Sequence, residues 1–140
     1  MKIQHILICF LLLTLSLSVG CGDQRAHFGG TVTYTDGSPV KWGAVNFDNG
    51  KFTFIGLINE KGEYAPNMVE KGAGIPEGTY KVWLTGTELV EDTIKPDGTL
   101  IPGKPIPMVA DQYCNINTSG LTFEAKIGGE KEFNIVVEKP

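Results

Sequence analysis

Few side chains in this 140-residue chain could carry chemistry. Its two histidines are His5 and His27, and His5 lies in an apolar N-terminal stretch, so a histidine-built zinc site cannot be assembled downstream. Ser38 and Ser119 are the only serines after Ser18, and neither has a nucleophile-elbow context with an identifiable base; both read as turn residues. Glu91, Asp92 and Asp97 could approach a calcium ion, but without EF-hand spacing they read as solvated loop charge. Cys114 has no adjacent histidine or lysine to lower its thiol pKa, and is expected to be a small buried hydrophobe. The reading is therefore of a protein with no catalytic site, no metal and no cofactor. What remains is aromatic. Trp42 and Trp83 are candidate ligand-binding residues, able with the 86–112 loop to hold a glycan or a peptide. That loop also carries four prolines among eight large aliphatic residues, enough apolar surface to fold back as a lid that makes Trp83 core instead.

These residues need a scaffold and an address, and the N-terminus supplies the address. Lys2 precedes an apolar run from Ile6 to Val19, which ends at Gly20-Cys21. Its fourteen residues fall short of the roughly 18 that a membrane-spanning helix needs. The pattern is that of an export-signal helix over residues 1–20. Leu17-Ser18-Val19-Gly20-Cys21 resembles the lipobox of bacterial lipoproteins, in which the cysteine is diacylated and becomes the new N-terminus. Gly20 and Cys21 match, while Leu17 sits one place before the usual leucine. The resemblance implies lipidation at Cys21, a lipidated tether over residues 21–27, and a cell-membrane or outer-membrane location in the cell envelope. Attachment would be through acyl chains, since one chain is marginal and two suffice. Ordinary secretion is the alternative, and it would leave Cys21 free to bridge Cys114 in an oxidising compartment. Lys and Arg number 12 against 16 acids, a net charge of −4 with no basic run, which excludes nucleic acid as a partner.

From Phe28 onward, apolar residues recur at every second position in short blocks bounded by turn residues, the period of strands. Val32 and Tyr34 alternate with threonines up to Asp36-Gly37-Ser38-Pro39, and Val45 and Phe47 follow. Asn49-Gly50 predicts a type I′ hairpin into a strand over 52–58. Tyr80, Val82 and Leu84 take one face of a longer strand and Trp83 the other. Leu121, Phe123 and Ala125, then Phe133, Ile135 and Val137 across a Gly128-Gly129 turn, predict a closing hairpin. About seven short strands in residues 28–140 point to an all-β fold, an antiparallel β-sandwich, with a small closed barrel as the alternative.

Gly30–Val40, Gly62-Glu63-Tyr64 and Ile75–Val82 together resemble the carboxypeptidase regulatory-like domain, a transthyretin-type (prealbumin-like) sandwich. The ending from Tyr113 to Glu138 is similar to small planctomycete-type lipoproteins that carry such a domain. The resemblance spans nearly all of residues 28–140. It implies a non-catalytic structural or protein-interaction module. Transthyretin-like hydrolases of purine degradation rely on histidines and an arginine with a polar C-terminal signature, whereas this chain ends Val137-Glu138-Lys139-Pro140 and has Arg25 as its sole arginine.

Overall fold

The computed structural model describes residues 25–66 and 74–140. The signal segment and Cys21 lie outside the described residues. In chain order the strands are β1 (Gly30–Tyr34), β2 (Ala44–Asp48), β3 (Thr53–Leu57), β4 (Glu63–Tyr64), β5 (Gly78–Thr85), β6 (Glu88–Leu89), β7 (Thr93–Ile94), β8 (Leu100–Ile101), β9 (Ile106–Pro107), β10 (Leu121–Ala125) and β11 (Ile135–Val137). A 3₁₀ turn at Asp111–Cys114 is the helical element among the described residues. The described residues are thus all-β.

Seven strands form two sheets, ordered β11-β1-β4 and β10-β5-β2-β3. Their inner faces share one core, because alternation delivers Val32 and Tyr34 from β1, Val45 and Phe47 from β2, and Tyr80, Val82 and Leu84 from β5 to the same interior. The three β5 residues are fully buried, and each such side chain contributes roughly 1.5–3 kcal/mol. The middle is aromatic: Phe28 lies 4.2 Å from Phe123 and 5.4 Å from Phe47 between ring centroids, and Phe47 lies 6.0 Å from Tyr64 of the other sheet. Tyr64 keeps its polar end satisfied by donating its hydroxyl to Phe133 O at 2.6 Å, while burial pushes its phenol pKa well up.

Three expectations about pairing require correction. The stretches at 121–125 and 135–137 do not form a closing hairpin: β10 pairs antiparallel with β5, whereas β11 crosses to the other sheet and pairs with β1 in parallel. The fold is therefore not wholly antiparallel. Nor is Asn49-Gly50 a type I′ turn. β2 and β3 do pair, but across a four-residue loop in which only Gly50 has positive φ, at 82°. Asn49 instead accepts the Lys51 and Phe52 backbone N–H groups on its side-chain oxygen.

The two sheets have a common direction. Ala26, just before β1, bridges Ile75, just before β5, and Tyr34 at the end of β1 reaches Met108, whose N–H bonds Thr87 O beyond the end of β5. One pole of the domain thus holds the chain entry at Ala26. The other holds the link from β1 to β2 and the root of the 88–107 segment. Eight residues of β5 separate the two by about 26 Å.

Candidate functional site

After β1, the Asp36–Pro39 turn folds the chain back on itself. Ser38 accepts from Tyr34 N, Pro39 sits beside Thr33 and Val40 donates to Val32 O, so the chain runs back along β1 and then passes through Lys41 and Trp42 on its way to β2. Gly43 permits that crossing: with φ at 116°, a Cβ there would lie 2.7 Å from the Thr87 side chain and 2.9 Å from Thr85 O. The outcome is an apolar cleft of about 190 Å³ lined by Tyr34, Pro39, Val40, Lys41, Trp42 and Met108. Tyr34 is anchored on two sides. Its hydroxyl donates to Met108 O at 2.9 Å, and Lys139 Nζ stands 5.0 Å from its ring centroid.

The rim beside Tyr34 is electrostatically settled. Lys139 Nζ lies 2.7 Å from Asp36 Oδ2, and Ser38 donates its N–H (2.9 Å) and hydroxyl (2.5 Å) to Asp36 Oδ1. The Lys139 bond first, then those from Ser38, hold the Asp36 carboxyl well below the usual carboxylate range. Both groups are solvent-exposed, so this pair ties the C-terminal tail to the turn without a large energy. Ser38 is thus the turn residue its context predicts.

Trp42 and Trp83 are not brought into one site. Trp83 stands half-buried on the outer face of the four-stranded sheet and does not line the cleft. Its cross-strand neighbour is Asn46, whose amide donates to Trp83 O (3.3 Å) and Thr85 Oγ1 (3.0 Å). Ile55 flanks Asn46 from β3. The expected lid over Trp83 is absent. Residues 88–107 pair with themselves, β6 with β9 and β7 with β8, as a hairpin arm whose turn closes at Lys95–Thr99. A two-stranded ribbon sends side chains to both of its faces, so Val90, Ile94, Leu100, Ile101 and Ile106 stay in solvent and only Val109, past the root, joins the core.

The remaining polar candidates serve the backbone. Ser119 is buried, donating its hydroxyl to Val82 O at 2.5 Å, which makes it a clamp on β5 as well as a turn residue. Asp92 accepts from Gly103 N and Asp97 from Thr99 N, holding the arm's bends; among the described residues no three His, Cys, Asp or Glu side chains are grouped to hold a metal ion. Cys114 is exposed rather than buried, its sulfur 3.6 Å from Thr87 Oγ1, because the 3₁₀ turn that carries it buries none of its residues. Sequence reasoning found Trp42, and Met108 within the 86–112 loop, but missed Tyr34 and Lys41 as their companions. The signal was in Asp-Gly-Ser-Pro, a tight turn that returns Ser38, Pro39 and Val40 along Tyr34, Thr33 and Val32 and so keeps the residues that follow near the end of β1. No family model matches the chain, and neither a curated protein nor a solved structure is significantly similar to it.

Proposed function

We propose that the chain is a lipid-anchored, non-catalytic interaction module of the bacterial cell envelope, a transthyretin-type sandwich held at Cys21 on the cell membrane or outer membrane. The observation that carries this reading is the polarity of the domain. The chain enters at Ala26, and the Trp42 cleft and the apolar arm sit together at the opposite pole. A tether from Cys21 to Ala26 reaches at most roughly 17 Å, so an anchored domain would stand close to the bilayer and turn its binding surfaces away from it. The cleft favours a protein partner over a glycan. Its walls are almost wholly apolar and the Tyr34 hydroxyl is already engaged, which leaves few groups to replace the water lost by sugar hydroxyls.

The anchoring is tested by fractionation. Expressed in a bacterium with its N-terminus intact, the chain should partition into detergent and its N-terminal peptide should carry an acyl mass increment. Cys21→Ser should move it to the soluble fraction. An unmodified, soluble wild type would refute the anchor.

A further inference from the structure

We propose that two copies of this chain associate by seating the proline-rich apolar arm of one in the Tyr34–Trp42 cleft of the other. The size of the cleft bears first on what it takes. At about 190 Å³ it lies below the roughly 300–1,000 Å³ of small-molecule sites, yet exceeds the about 150 Å³ in which an apolar cavity accepts a benzene ring. It suits one proline ring or one branched aliphatic side chain presented by a polypeptide. The arm offers such groups in excess: Ile94 is 71% exposed, Leu100 55% and Ile106 51%. A free two-stranded ribbon is marginal in water, so an arm this apolar gains from being covered.

The mode of recognition follows from the prolines. Pro102, Pro105 and Pro107 strip N–H donors from the returning half of the arm, which makes it a poor edge for an added strand. Side chains docking into an aromatic-walled groove need no such donors. Charge agrees with this pairing. The arm carries Glu88, Glu91, Asp92 and Asp97 against Lys95 and Lys104, and the cleft presents exposed Lys41 while Lys139 is neutralised by Asp36. The arm does not fill the cleft of its own chain: Met108 at its root forms a wall, and no residue of 88–107 lines the opening. Both surfaces lie at the pole remote from Ala26, so the exchange leaves the N-terminus free. The proposal rests on the domain being an interaction module and is independent of acylation.

The test uses the full chain in non-ionic detergent, followed by sedimentation over a range of concentrations. Wild type should form a concentration-dependent dimer. Leu100→Glu in the arm and Trp42→Ala in the cleft should each weaken it about 30-fold or more, as loss of a central anchor does, with unchanged circular dichroism. A synthetic peptide of residues 99–108, titrated into the Trp83→Phe variant, should shift the emission of Trp42. A wild type that stays monomeric, a dimer that survives either substitution, or a peptide that leaves Trp42 emission unchanged overturns the proposal. Those results leave the reading as an envelope module standing, since that falls only with the Cys21→Ser fractionation.

Discussion

Trp83 and Trp42 show how differently one residue type is used within a single small domain. Trp83 lies on a strand whose opposite face is core, with Asn46 buried beside it and the 88–107 arm paired with itself elsewhere, so the indole is partly packed without being closed over. A fully buried tryptophan cut to alanine costs about 3–5 kcal/mol and an ordinary surface change within about 0.5 kcal/mol. Trp83→Ala should therefore cost about 2 kcal/mol, measured by urea denaturation in a Trp42→Phe background so that the remaining emission reports on this site. A cost near zero would mean that the indole packs on nothing, and one near 4 kcal/mol that something covers it. Alternation told which face Trp83 occupies; it could not tell what lies over that face, because the cover would come from residues distant in sequence. The same gap explains Cys114. Its small apolar side chain suggested burial, but the 3₁₀ turn holds it at the surface.

At the scale of elements, the strands were legible and their partners were not. Tyr80, Val82 and Leu84 of β5 and Phe123 and Ala125 of β10 are buried at alternate positions as the sequence period requires, yet β11 leaves its sequence neighbour to join β1 in parallel. That junction depends on Gly30. Its φ is unremarkable, but a Cβ there would lie 2.0 Å from Phe133 O, so the segment leading into β11 passes directly over it. Gly30→Ala must push that backbone aside, at the cost of about 1–3 kcal/mol typical of overpacking. The melting midpoint should fall by roughly 4–24 °C, given about 4–8 °C per kcal/mol in a small domain. Calorimetry showing an unchanged midpoint would contradict the close approach. Tyr64, which donates to the same carbonyl, provides an independent reading of the same contact.

For the whole molecule, the structure separates a packed body from an arm that adds little to it. Thr87 and Met108 are already joined by a 2.9 Å hydrogen bond, so residues 88–107 can be excised and the gap closed with an Asn-Gly turn. The shortened chain should fold with a stability within about 0.5 kcal/mol of the parent, because the aliphatic side chains it loses are mostly in solvent. Thermal unfolding checks this: a collapse in stability would place the arm in the core. Loss of dimerisation with the body intact is the companion result expected from arm exchange. The poles give the excision its meaning, since the arm is removed from the end opposite the chain entry.

The all-β class, the inward residues of the main strands and the turn at Asp36–Pro39 could be read from local pattern, because side-chain period and turn chemistry act over a few residues at a time. The sequence also raised Trp42 as a residue of interest. Long-range packing set the rest: β11 runs parallel to β1, residues 88–107 pair with themselves instead of covering Trp83, and Tyr34, Lys41 and Met108 complete a cleft around Trp42. Strand partnership and the convergence of side chains depend on contacts between residues as far apart as 34 and 108, and no local pattern encodes which distant segment supplies the other half of a contact.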